Sequence, residues 1–244
     1  FRDVWRNERC KCRNVIPSES ISMVNIDNNI LKYYLRNVYF ITGTAYAGKS
    51  TMVRMLADEY DLVFCGENYH MEIADQIADP ELQPNLCYFK QMKDWEEFVR
   101  RSPKKYEQWI MDSAKEAASI EIAQLIALGA EQKVIVDTNI PIPMLKQISD
   151  YDHVAVMLSP QSVSVERFFD RSDPEKQFIL SVIESCEDAD KVMENYRECL
   201  KRINSEEHYR EYAESGFFTL ERDDPTGDDV VAVRDLLARH FGLL

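Results

Sequence analysis

Residues 43–50 read Gly-Thr-Ala-Tyr-Ala-Gly-Lys-Ser and carry the most specific chemistry in this chain. The two glycines, Gly43 and Gly48, free the backbone to aim its N–H groups inward. Lys49 adds a mobile cation, and the Ser50 hydroxyl is a hard oxygen donor. These types at this spacing make a cradle for a phosphate chain. Backbone groups of Thr44, Ala45, Tyr46 and Ala47, and the start of a following helix at Thr51, hold the oxygens. Lys49 reaches the β- and γ-phosphates, and Ser50 coordinates Mg²⁺.

Such a cradle needs a strand before it and a helix after it. Val38–Thr42 (Val-Tyr-Phe-Ile-Thr) reads as a buried strand that ends at Gly43. Met52, Val53, Met55, Leu56 and Tyr60 keep helical spacing through Thr51–Tyr60. Further strands are expected at Leu62–Cys65, Lys133–Asp137, His153–Leu158 and Phe217–Leu220. Asn29–Arg36 and Pro143–Ile148 read as short helices. Ser102-Pro103, a cap and a first-turn proline, opens a helix that runs to about Leu128 and ends at Gly129. Ser159-Pro160 opens another. Asp173-Pro174 opens a long one, striped by Phe178, Val182, Cys186, Ala189, Met193, Tyr196, Leu200 and Ile203. Val230, Val233, Leu237 and Phe241 stripe the last helix. Strands alternating with helices call for a mostly parallel sheet covered on both faces, with right-handed crossovers.

The length of 244 residues suits one α/β domain, here 38–244, with an N-terminal extension at 1–37. The net charge of −14 argues against nucleic acid as the main partner, because duplex binding needs a basic face. It leaves phosphate binding open, since a loop of this kind works through backbone N–H groups and one or a few cations. No apolar run is long enough to span a membrane. Phe1 to Lys11 is charged and lacks a signal-peptide core, and with no Met at its start the chain is expected to have lost a few residues there. The six cysteines are scattered and read as reduced thiols of a cytoplasmic protein. Cys10 and Cys12 lack a second pair at zinc spacing. With Arg2, Arg6, Arg9 and Arg13 they form a basic patch that either binds a partner or packs across the domain.

ATP is expected rather than GTP. A GTP site carries Asn-Lys-x-Asp after a late strand, whereas here Ser159-Pro160-Gln161 and Glu221-Arg222-Asp223-Asp224 follow. On the 43–50 loop, on Arg167 and Arg171 after the fourth strand, and on the last strand–loop–helix, residues 38–242 resemble the small P-loop kinases. That group holds the nucleoside monophosphate kinases and shikimate kinase. The resemblance implies a three-layer αβα fold with a five-stranded parallel sheet in the order 2-3-1-4-5. It also implies a helical acceptor-side insertion at 66–130 and a lid-like helical region at 160–205. The implied reaction is transfer of the γ-phosphoryl group of ATP, with Mg²⁺, to a small-molecule acceptor, either a nucleotide or a hydroxylated metabolite. Arg222–Gly227 occupies the position of the family's adenine loop.

Several residues take roles from that resemblance, each beside a plainer alternative. Asp137, at the end of the third strand, holds Mg²⁺ or caps the turn that follows. Arg167 and Arg171, four apart on one helix face, close over the phosphates or pair with Glu166, Asp170 or Asp173. Glu67, just past the second strand, orients or deprotonates the acceptor hydroxyl, with Glu72 and His70 as further candidates; a lone histidine is more often structural. Arg100 and Arg101, with Lys104 and Lys105, hold an anionic acceptor or balance Asp94, Glu96 and Glu97. Tyr88, Phe89, Trp95, Phe98, Tyr106 and Trp109 line an acceptor pocket or pack a core. Two other functions fit the same residues: a nucleotide-dependent regulatory module with no acceptor, and a toxin-like kinase acting on a sugar nucleotide or a macromolecule.

Overall fold

The computed structural model describes residues 26–166, 168–169, 174–222 and 229–244. Strands β1 (Val38–Gly43), β2 (Val63–Cys65), β3 (Val134–Asp137), β4 (Val154–Leu158) and β5 (Phe218–Glu221) form one parallel sheet in the order β2-β3-β1-β4-β5. Helices α1 (Asn28–Tyr34) and α2 (Lys49–Tyr60) flank β1 in sequence. Four helices lie between β2 and β3: α3 (Met71–Ile77), α4 (Tyr88–Gln91), α5 (Trp95–Val99) and α6 (Pro103–Gly129). After β3 comes α7 (Ile142–Ile148). After β4 come α8 (Gln161–Glu166), α9 (Pro174–Glu184), α10 (Ala189–Ile203) and α11 (Glu206–Ala213). The last helix is α12 (Val230–His240).

Period-two alternation along each central strand builds two separate cores. Val38, Phe40, Val134, Val136, Val154 and Val156 point to one face, where Leu125 of α6 and Leu145 of α7 cover them. Tyr39, Ile41, Ile135, Ala155 and Met157 point to the other, under Met52 and Leu56 of α2 and Leu237 of α12. Both faces are covered, so β1 is mostly apolar and every residue in it is buried, the polar Thr42 included. A third cluster joins the helices of 66–130 to those that follow β4. Phe98, Val99 and Tyr106 pack on Ile183, Tyr196 and Leu200.

The stripe expected as one helix from Pro174 to Ile203 is two helices, α9 and α10, separated at Ser185–Asp188. No glycine or proline marks the break. Asp188 takes the N-cap position of α10, and its carboxylate pairs with Arg100. The apolar spacing continues through Cys186, which is buried in the third cluster, so periodicity alone did not expose the interruption. Helix α11 was not expected; Ser205 caps it by accepting from the His208 N–H. The 1–25 segment, with Cys10 and Cys12, lies outside the described residues, as do Arg167, Asp170, Arg171, Asp173 and the 223–228 loop.

Candidate functional site

The carboxyl ends of β1 and β3 lie side by side, with Ile41 paired to Asp137. In open parallel α/β sheets this is the edge that receives ligands. Gly43 ends β1 at φ 128°, and a Cβ placed there would sit 2.0 Å from the carbonyl oxygen of Met157 on β4. Only glycine lets the chain leave the strand so close to its neighbour. The Thr44 N–H donates to that same carbonyl at 3.0 Å, and the Thr44 hydroxyl accepts from the Ser159 N–H at 2.7 Å. The loop is therefore pinned to the end of β4. Tyr46 follows at φ 67°, and Gly48 at φ 84° forms the N-cap of α2.

Lys49 opens α2. It is buried, and its ammonium donates back across the loop to the Thr44 carbonyl at 3.0 Å. Ser50 donates its hydroxyl to Asp137 Oδ2 at 2.6 Å. Asp137 is fully buried, and its Oδ1 has no hydrogen-bond partner. Desolvation raises its pKa most strongly; the Lys49 charge and the Ser50 bond oppose this, and the Glu67 charge adds to it. A bare carboxylate oxygen beside a hydroxyl is a hard-oxygen donor set of the kind Mg²⁺ takes, and that ion typically uses one or two protein oxygens with phosphates and water. Among the described residues no group of three or more His, Cys, Asp or Glu side chains is placed to hold a metal by itself.

Behind Asp137 sits an acid that the sequence reading missed. Glu121 of α6 is 1% exposed, and its Oε2 accepts from the Thr138 hydroxyl at 3.0 Å. That hydroxyl in turn accepts from the Ile140 N–H, so Glu121 fixes the turn by which the chain leaves β3. Burial, with the charges of Asp137 and Glu67, pushes the Glu121 carboxyl up to about 7 against the pull of the Thr138 bond. His70 lies 3.7 Å from the other Glu121 oxygen, is buried, and has its pKa lowered by desolvation. The signal for Glu121 was in the sequence. Ala118, Glu121 and Leu125 share one helical face, and a carboxylate on an apolar stripe is rare without a task.

Glu67 is exposed just past β2, and its Oε1 accepts from the Asn139 side chain at 3.1 Å, two residues beyond Asp137. Glu67, Asp137 and His70 are thus gathered near one another, linked by Asn139 and Glu121. Arg100 stands differently: it ion-pairs with Glu96 at 2.7 Å and with Asp188. Arg101 stacks its guanidinium 3.5 Å from the Tyr88 ring centroid and 4.8 Å from that of Trp109. The aromatic residues of 88–109 pack on one another and on α10. The sequence reading also passed over Lys176 of α9, whose ammonium lies 5.1 Å from the Tyr46 ring centroid. It left no sequence signal, because a lysine near a helix start looks solvated.

No helix among the described residues is long and apolar enough to cross a membrane. No protein-family model and no curated protein matches the chain.

Proposed function

We propose that this chain is an ATP-dependent phosphotransferase of the small P-loop kinase type, which moves the γ-phosphoryl group of ATP to a hydroxyl of a small molecule. One observation carries the reading. The loop lysine, the loop serine and the buried carboxylate at the end of β3 converge, with Ser50 bonded to Asp137 and one Asp137 oxygen bare. Burying a carboxylate with an unsatisfied oxygen costs stability, so its retention points to a ligand.

In this reading the loop backbone and the N-terminus of α2 bind the phosphate chain. Lys49 leaves the Thr44 carbonyl and neutralises the β- and γ-phosphates. Ser50 and Asp137 hold Mg²⁺, which supplies charge neutralisation on the phosphate oxygens when bound. Glu67 lies on the acceptor side, steadied by Asn139, where its carboxylate accepts the hydroxyl proton or orients the hydroxyl for in-line attack. The proposal assigns Arg167 and Arg171, which lie outside the described residues, to the phosphates.

The acceptor favoured here is a hydroxylated metabolite rather than a phosphate-bearing one. The charge of Arg100 is already balanced by Glu96 and Asp188, and Glu67 and Asp137 place carboxylates at the strand ends. Calorimetric titration with ATP and Mg²⁺ tests the first half of the proposal. Saturable binding that Lys49→Ala abolishes is expected, and an equal heat from both proteins overturns it.

A further inference from the structure

Two turns leave the carboxyl edge of the sheet side by side. The register pairs Cys65 of β2 with Val136 of β3, so Glu67 and Asn139 follow their strands at nearly the same level. Both are exposed, although Asn139 stands between the buried Thr138 and Ile140. Among the described residues the Glu67 carboxylate has one hydrogen-bond donor, the Asn139 amide at 3.1 Å. One exposed hydrogen bond contributes only about 1 kcal/mol, so the direction of that carboxylate depends on how firmly the two turns are held.

Glu121 of α6 holds both. Its Oε2 accepts from the Thr138 hydroxyl at 3.0 Å, and that hydroxyl accepts from the Ile140 N–H at 3.0 Å, which closes the turn around Asn139. Its backbone carbonyl accepts from the Tyr69 hydroxyl at 3.2 Å, two residues past Glu67. Its other carboxylate oxygen lies 3.7 Å from Nδ1 of His70 in the same turn. A glutamate that is 1% exposed is rare unless its oxygens are used, because an apolar residue fills a helix face without the desolvation cost. Asp137 is held separately. Ser50 bonds its carboxylate, and the Thr138 N–H donates to the Ile41 carbonyl at 3.0 Å, which keeps the end of β3 on the sheet. Glu121 therefore governs the turns beyond Asp137.

We propose that Glu121 is a positioning residue that clamps the β2 and β3 exit turns together, so that Asn139, a second positioning residue, aims the Glu67 carboxylate at the acceptor hydroxyl. This rests on the phosphotransfer reading above. A proton acceptor works only within hydrogen-bond reach of its hydroxyl, and a displacement of about 1 Å costs up to about a hundredfold in rate. An exposed turn does not supply that precision by itself. The long helix α6 does, through one buried side chain that reaches both turns.

Turnover is read as transfer of the labelled γ-phosphoryl group of ATP to ribose and to water, and ATP affinity by calorimetry, both with Mg²⁺ on the full chain. Asn139 is exposed, so Asn139→Ala folds whatever Glu121→Leu does. Asn139→Ala is expected to lower turnover about tenfold, with the Kd for ATP within about twofold of the parent. Asn139→Asp, which exchanges the donor for a second carboxylate, is expected to lose at least as much. Glu121→Leu is expected to match Asn139→Ala, and Glu121→Gln, which still accepts from Thr138, to recover turnover to within about threefold of the parent. In a Glu67→Gln background neither Asn139→Ala nor Glu121→Leu is expected to lower turnover further, since the carboxylate they aim is gone. A merely structural role adds its loss to that of Glu67→Gln and weakens ATP binding with it. Full additivity of Asn139→Ala with Glu67→Gln overturns the proposal, and so does Asn139→Ala at the parent rate. Where the parent binds ATP but turns over with neither ribose nor water, the crystal structure of Asn139→Ala decides. Glu67 turned away from its parent place supports the clamp, and Glu67 unmoved overturns it. A parent that binds no ATP overturns the phosphotransfer reading, and the role of Glu67 falls with it.

Discussion

The Ser50 hydroxyl lies 2.6 Å from Asp137 Oδ2 and ties the first turn of α2 to the end of β3. The two residues are 87 positions apart in the chain, yet the sheet register that pairs Ile41 with Asp137 makes their meeting unavoidable. The bond satisfies one carboxylate oxygen and leaves the other, Oδ1, buried and bare.

Asp137→Asn therefore separates stability from ligand binding. Burial raises the Asp137 pKa, so the folded state is penalised wherever that carboxylate is charged. Asparagine removes the charge and keeps an oxygen for Ser50. The ligand-free variant is expected to be more stable than the parent by roughly 1 kcal/mol, in the usual range for relieving a functional site of its strain. The stabilisation by ATP and Mg²⁺, about 2.7 kcal/mol at a hundredfold excess over Kd, is expected to vanish. Thermal denaturation with and without nucleotide reads both. A variant that is less stable alone, or that keeps the ligand effect, contradicts the role of Asp137.

Glu121 makes stability depend on pH near neutrality. Its pKa rises from 4.5 in the unfolded chain to about 7 in the fold. A folded pKa above the unfolded one means that the native state binds the proton more tightly. This contribution is complete below about 4.5 and is lost as pH rises through about 7. The loss amounts to roughly 3 kcal/mol between those limits. Glu121→Gln keeps an acceptor for the Thr138 hydroxyl and abolishes the titration. Urea denaturation at pH 5.5 and pH 8 is expected to show the parent losing stability between them and the variant losing much less. Equal losses would mean that Glu121 is not the titrating group.

Much of this was readable in the chain. The run Val38–Thr42 reads as a strand because five apolar or β-favouring residues stand together before Gly43. The alternation of strands and helices gave the parallel sheet, and the resemblance to the small P-loop kinases gave its order. Other features depend on contacts between distant residues. Glu121 is 17 positions from its hydrogen-bond partner Thr138, and Arg100 is 88 from Asp188, so neither pair appears in local spacing. The break before Asp188 carries no helix-breaking residue and no side-chain cap bond, so nothing local in the sequence marks it. Lys176 meets Tyr46 only because α9 folds back onto the loop.

Gly43 is the position where one added methyl does most harm. Its Cβ would lie 2.0 Å from the Met157 carbonyl oxygen, and its φ of 128° is open to glycine alone. The carbonyl belongs to the sheet and cannot yield without breaking the pairing of β1 with β4. Gly43→Ala is expected to cost more than about 4 kcal/mol, the range reserved for severe strain in a packed interior. Soluble yield and melting temperature should both fall sharply. A variant within a few degrees of the parent would show that β1 and β4 can separate at this end.

Glu67 and the acceptor can be probed together with matched substrates. Each pair consists of a hydroxyl compound and its phosphorylated form, such as a nucleoside with its 5′-monophosphate or ribose with ribose 5-phosphate. Transfer of the γ-phosphoryl group of labelled ATP is followed for both members. The carboxylates at the strand ends and the balanced charge of Arg100 predict that the uncharged member wins by at least tenfold in kcat/KM. Glu67→Gln keeps a partner for Asn139 and removes the proton acceptor. It is expected to lower kcat about a hundredfold or more, the usual range for losing a general base, with ATP affinity unchanged. Preference for the phosphorylated member would place an unassigned cation at the acceptor site. A Glu67→Gln protein with full kcat would move the proton-accepting role elsewhere, leaving Glu67 as a partner of Asn139.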